Sequence, residues 1–217
     1  MSFDHPAADA QQEATDRLVI LVWAGLFFAL ALFSLLPGLD LLVSAHYYSA
    51  EQGFFRRNDP MVLWLYDWTP WIGRVLVLLL ALFALLAPLF ARQAARQGDS
   101  DRAARLRGPW RRTATLAVAV ALLGNGLLIE GVFKNTVGRP RPVQTVQFGG
   151  TDSYVAPLRL GPAPASHKSW VSSHAAAGFA LMGLGLGCGP VWRRRWILIA
   201  MVSGGVIGLG RIMLLVS

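Results

Sequence analysis

An all-α, polytopic bundle of transmembrane helices is the fold this sequence predicts, on three observations. Only 15% of the 217 residues are charged against 54% hydrophobic, and mean hydropathy is +0.47. A soluble domain of this size carries about 25% charged residues, so most of this surface faces something other than water. Apolar runs of about 20 residues, enough to cross a bilayer as helices, recur along the chain. Arginines gather in the short loops between them. That is the membrane pattern, so nucleic acid is not an expected partner despite a formal charge of +8.

Five spans are expected. The first runs from Leu18 to Leu36 and is stopped by Pro37-Gly38. Residues 1–17 precede it as a cytoplasmic tail, and residues 18–217 form the membrane-embedded domain. The tail sets Asp4, Glu13 and Asp16 against a single Arg17, and the apolar stretch exceeds a signal h-region. An uncleaved anchor is therefore expected. The second span is Val75 to Phe90, with Trp71 an alternative start, and the third is Ala114 to Phe133. The fourth, Ala175 to Val191, is shorter and rich in Gly and Ala. The fifth is Trp196 to Val216. Loop 37–70 holds Tyr47, Tyr48, Phe54, Phe55, Trp64, Tyr66, Trp68 and Trp71, a density suited to the headgroup level. Its Arg56, Arg57 and Asp59 mark a solvated turn. Cys188 is the sole cysteine, and no Cys/His spacing resembles a zinc site.

Segment 91–113 carries Arg92, Arg96, Arg102, Arg105, Arg107, Arg111 and Arg112, and Arg193, Arg194 and Arg195 fill a later turn on the same side. Positively charged loops stay in the cytoplasm, which puts the N-terminus inside and loops 37–70 and 134–173 outside. The arginine-rich segment is expected to be helical and solvated.

Chemistry gathers at the outer ends. The third span closes with Lys134 and runs on to Arg141-Pro142; the fourth opens with Ser172-Ser173-His174; the fifth carries Arg211 in an apolar stretch. From Thr113 to Lys134 is about 32 Å of helix, a full crossing, and from Trp196 to Arg211 about 22 Å. Lys134, Arg141, His174 and Arg211 are thereby expected at one depth. An arginine within a span costs roughly 2.5–3.5 kcal/mol on insertion scales and faces a cavity or a partner. One partner is internal, since Glu130 can pair with Arg211 or Lys134. The other is an anion from outside, and arginine with lysine suits phosphate. Ser172 stands at an N-cap position, where it either caps or helps form an anion site with the free amides of the first turn. His174 can deliver a proton near neutral pH.

These segments resemble the type 2 phosphatidic acid phosphatase family. Its K-x6-R-P motif is matched by Lys134, Arg141 and Pro142. Its P-S-G-H motif is matched by Ser172 and His174, with Val171 and Ser173 in place of Pro and Gly. Of its S-R-x5-H-x3-D motif Arg211 remains. The resemblance implies six spans, of which five are read here, and a membrane enzyme that hydrolyses a lipid phosphate. It implies that Lys134, Arg141, Ser172, Ser173 and Arg211 hold the phosphoryl group, and that His174 is the general acid. The nucleophile would be the third-motif histidine, but Ser217 stands at that place, and the following aspartate would fall beyond residue 217. A shortened member is thus expected, its cradle present, its nucleophile missing and its turnover from these residues small. His167 is a minor alternative nucleophile.

The implied setting is the outer, periplasmic face of a bacterial inner membrane, with membrane lipids and a lipid-phosphate substrate as partners. Lipid A, undecaprenyl pyrophosphate, phosphatidylglycerol phosphate and phosphatidic acid are candidates, and segment 141–150 favours lipid A phosphatase-like members. No metal or organic cofactor is implied, since basic residues can stabilise the transferring group. A non-catalytic protein or remnant that binds anionic lipid headgroups is the alternative. A transporter is disfavoured because the charges lie at one face and not at mid-membrane. A vanadium haloperoxidase is disfavoured by the apolar spans.

Overall fold

The computed structural model describes residues 6–55, 59–161, 167 and 169–214. His5, Arg56, Arg57 and Ser217 lie outside the described residues. The described chain is helical almost throughout: α1 (Pro6–Leu35), α2 (Leu39–Ala45), α3 (Pro60–Arg96), α4 (Ser100–Arg107), α5 (Pro109–Val120), a π-helical stretch (Ala121–Phe133), α6 (Lys134–Thr136), α7 (Ser173–Phe179), α8 (Met182–Leu186) and α9 (Pro190–Leu214). Among the described residues, four helices are long and apolar enough to cross a membrane: Asp9–Leu35, Pro60–Arg96, Ser100–Thr136 and Pro190–Ile212. Burial is inverted relative to a water-soluble domain. Phe28 and Leu85 are 69% and 73% exposed, while Ala87, Ala91 and Ala200 are fully buried. Small residues let helices approach, and large apolar ones turn outward to lipid. The chain is a multi-pass membrane protein.

Two of the expected spans need correction. The fourth span, read as one helix over Ala175–Val191, is two short helices with a turn at Ala180-Leu181. Together Ser173–Leu186 rise about 21 Å, short of a hydrocarbon core of about 30 Å. Glycines 183, 185, 187 and 189 weaken helix propagation there. The helix of the second span, α3, begins at Pro60, well before Trp71. Asp59 caps it, its carboxylate accepting from the Met61 and Val62 amides at 3.0 and 3.4 Å, and Pro60 occupies the first turn, where no amide is needed. Pro70 sits inside the helix. Trp64, Tyr66 and Trp68 are therefore helical and not loop residues.

Both arginine clusters lie at one end of the bundle. Thr15 on α1 donates to the Pro190 carbonyl at the start of α9, and Gly187 packs on Thr113, where a Cβ would come within 2.2 Å of the threonine oxygen. Arginine-rich α4 folds back on α3 after Gly98, whose φ of +81° suits glycine. There Ala91, Ala94, Ala103 and Leu106 make a small core, so the segment read as solvated buries one face. At the other end, strands β1 (Tyr48–Ser49) and β2 (Gly53–Phe54) form a hairpin. Tyr48 and Phe54 lie 5.2 and 5.3 Å from the Phe148 ring, which joins the 37–55 segment to the loop after α6.

Candidate active site

The polar cluster forms where α3, α6, α7 and α9 come together. Lys134 opens α6, and its Nζ donates to Glu130 Oε1, one turn earlier, at 2.8 Å. It also donates to Ser173 Oγ at 2.9 Å across 39 residues of sequence. An ammonium has three donors, so one remains for a further acceptor. Ser172 has extended backbone, and its Oγ accepts from the Ala175 amide at 3.4 Å, which makes it the N-cap of α7. That helix has seven residues, so its hydroxyls, more than a helix dipole, are what it brings.

His174 follows on α7. Its ring stacks on Tyr66 of α3, with centroids 5.0 Å apart and planes 10° from parallel. Arg211, Lys134 and Glu130 are its charged neighbours, and the Tyr66 backbone faces it as a hydrogen-bonding group. Its Nε2 is buried with no hydrogen-bond partner among the described residues. Arg211 is 8% exposed and places its guanidinium carbon 4.8 Å over the Tyr66 ring. Arg141 is a charge neighbour of Arg211. It comes after a turn at Gly138, where φ is +61°, and its amide donates to Gln144 Oε1 at 2.8 Å. Three cations thus face one carboxylate.

Close helix packing creates this meeting. A Cβ on Gly178 of α7 would stand 2.7 Å from the Gly204 backbone of α9, and one on Gly210 would stand 2.9 Å from Leu65 of α3. Contacts this short exist only because neither glycine has a side chain, and they bring the adjoining His174, Arg211 and Tyr66 level.

Of the residues read from sequence, Lys134, Ser173, His174 and Arg211 come together, Arg141 joins at the edge, and Ser172 accepts the cap bond through its oxygen and keeps its O–H donor. The Glu130 pairing forms with Lys134. His167 sits elsewhere in the contact network, its Nε2 3.8 Å from Asp152 Oδ2 and its Nδ1 buried without a partner among the described residues. Among the described residues there is no group of three or more His, Cys, Asp or Glu arranged to hold a metal.

Two features went unread in the sequence. Tyr66 was hidden in an aromatic-dense segment. The second is a lock between remote segments, in which buried Arg139 donates to the Asp40 carboxylate and, at 2.8 Å, to the Val155 carbonyl. Tyr154 donates to the same carboxylate and to the Pro37 carbonyl. Burial first, and the Asp40 carboxylate next, push the Tyr154 phenol well above its ordinary pKa.

A multi-pass helical bundle that gathers lysine, arginine, serine and histidine at one rim has the make-up of a membrane-embedded phosphatase. Residues 113–216 match the PAP2 superfamily. The chain is also 27% identical over 188 residues to the lipid A 4'-phosphatase of Francisella tularensis subsp. novicida (strain U112), covering 85% of this chain and 78% of that protein. No solved structure matches. Over residues 113–216 the chain is similar to the type 2 phosphatidic acid phosphatase family, and the two likenesses support a lipid phosphatase by class, with a lipid phosphate as substrate and membrane lipids as surroundings.

Proposed function

We propose that this protein hydrolyses a phosphate monoester of a lipid, lipid A being the favoured substrate, at the periplasmic face of a bacterial inner membrane. The observation that carries the proposal is the convergence of Lys134, Ser173, His174 and Arg211 from separate helices at one rim. Lys134, Arg141 and Arg211 neutralise the phosphoryl oxygens, with hydroxyls of Ser172 and Ser173 beside them. His174, with an unoccupied buried Nε2, gives a proton to the departing sugar or glycerol oxygen while the nucleophile attacks phosphorus from the opposite side. The orientation rests on the arginine clusters, which keep their end in the cytoplasm and leave the cluster outside. In this reading residues 1–17 face the cytoplasm, and residues 18–217 form the membrane domain. The lipid A preference rests on the Francisella relative, and undecaprenyl pyrophosphate is the next candidate.

The family's nucleophile position, six residues after Arg211, holds Ser217. We therefore expect these 217 residues to bind the phosphate and turn it over slowly. That serine also favours the second reading, a non-catalytic binder of anionic lipid headgroups. Phosphate release from lipid A, phosphatidic acid and undecaprenyl pyrophosphate in micelles separates the two. The chain is compared with a Ser217→His form extended by an aspartate four residues further on. Release that appears in the extended form and vanishes with Lys134→Ala or His174→Ala supports the phosphatase. Release indifferent to both substitutions sinks the site.

A further inference from the structure

Tyr66 belongs to none of the three motifs, yet it touches both the proton donor and the deepest cation of the cluster. Its ring lies parallel to the His174 imidazole at 5.0 Å and carries the Arg211 guanidinium at 4.8 Å. No other described aromatic ring stacks on either group. We propose that Tyr66 is a positioning residue: one phenol ring on α3 fixes the imidazole of α7 relative to the guanidinium of α9. The proposal rests on the phosphatase reading above and deepens it.

The physical case has three parts. First, an aromatic face is electron-rich, so it attracts a guanidinium, and it supports a flat imidazole by offset stacking. The stacking takes no donor from the imidazole, and the Tyr66 hydroxyl adds a side-chain hydrogen bond with Arg211. A carboxylate in the same place would hold Arg211 by its N–H groups and compete directly with substrate. Second, the support is anchored. Leu65, next to Tyr66, packs where a Cβ on Gly210 would come within 2.9 Å, so α3 and α9 are in closest register one residue away from the Tyr66–Arg211 contact. The Thr69 hydroxyl donates to the Leu65 carbonyl at 2.5 Å and ties that turn of α3 together ahead of Pro70. Third, His174 and Arg211 belong to helices that also touch through Gly178 and Gly204. The ring therefore closes a three-helix arrangement in which each pair has its own contact. A displaced catalytic group loses rate steeply, about 100-fold for 1 Å, so such a brace has a function.

The test has a readout independent of turnover. In chain labelled with 13C-histidine in micelles, a ring stacked on His174 shifts its Hε1 resonance upfield, and His174→Gln assigns the signal. Tyr66→Phe keeps the upfield shift, and Tyr66→Leu returns it to the unstacked range; Tyr66→Met replaces the leucine variant if that one does not fold. The same signal then follows titration with inorganic phosphate. The Tyr66→Phe variant, which loses only the hydroxyl's hydrogen bond with Arg211, falls less in affinity than Tyr66→Leu, which falls about tenfold. An unmoved His174 signal in Tyr66→Leu overturns the stacking and with it the proposal. Equal phosphate affinity in Tyr66→Leu and the natural chain overturns the positioning role alone and leaves the phosphatase reading standing. Phosphate that binds no form at all overturns both.

Discussion

At the arginine-rich end, α3 and α4 adjoin in sequence and pack through Ala91, Ala94, Ala103 and Leu106, with a short hairpin turn between them. At the opposite rim almost every contact joins distant parts of the chain. Lys134 reaches Ser173, Tyr66 reaches His174 and Arg211, and Asp40 reaches Arg139 and Tyr154. The first end can form locally, and its side chains are small and apolar. The second exists only when several helices have docked, and it concentrates charge that water or lipid must otherwise accommodate. We assign phosphate chemistry to the costly end because cations from separate helices lie close enough there to share one anion.

The largest expected effect is loss of charge from that rim. Lys134→Ala and Arg211→Ala should each lower phosphate release by the extended form roughly 10²–10³-fold, as for other groups that stabilise developing charge. Radiometric assay of released phosphate reads this directly. A drop below about threefold for both would detach the cations from the reaction. Gly178→Val comes next. Its first added carbon meets the Gly204 backbone at 2.7 Å, and such overpacking costs about 1–3 kcal/mol. Ala91→Leu, at a fully buried site of the other end, should cost a similar amount in thermal unfolding. Only Gly178→Val should weaken phosphate binding, because only it spreads α7 from α9. Equal damage to binding from both would erase the contrast between the ends.

How far the sequence foretold these two ends differs for the same reason. Local signals were legible: the apolar runs, the stop at Pro37-Gly38, and the arginine turns that share one end. So was the meeting of Lys134, His174 and Arg211, because helical rise along separate spans can be counted. Helix beginnings and breaks were harder. Pro60 starts α3 through the Asp59 cap, but the aromatic density from Tyr47 to Trp71 made that stretch look like loop. The fourth span was legible as short and rich in Gly and Ala, but not as a broken helix. Tyr66 and the Asp40–Arg139–Tyr154 lock depend on which faces of remote segments meet, and no spacing in the chain encodes that.

The lock gives a smaller and pH-dependent prediction. Tyr154→Phe removes a donor to a carboxylate and should cost about 1–2 kcal/mol in thermal unfolding. The phenol pKa is raised in the folded protein, so folding favours the protonated form. Its contribution is whole below the unfolded value of about 10 and is lost as pH rises through the folded value. The deficit of Tyr154→Phe should therefore be constant from pH 7 to 9 and shrink above pH 10. A deficit that grows with alkalinity contradicts the assigned donor.

The smallest effect is expected of Glu130→Gln, and its sign is the informative part. The carboxylate is half exposed and pairs with Lys134 at 2.8 Å, a geometry worth about 0–1 kcal/mol. If the pair served the fold, its loss would lower stability by that amount and leave phosphate affinity alone. If the rim is a phosphate cradle, Glu130 is a resident anion beside the one it awaits. Neutralising it removes repulsion of the phosphate and frees a lysine donor, so affinity for inorganic phosphate should rise two- to fivefold, as about 1 kcal/mol allows. Weaker binding in Glu130→Gln would mean that the carboxylate orients Lys134 more than it competes for it.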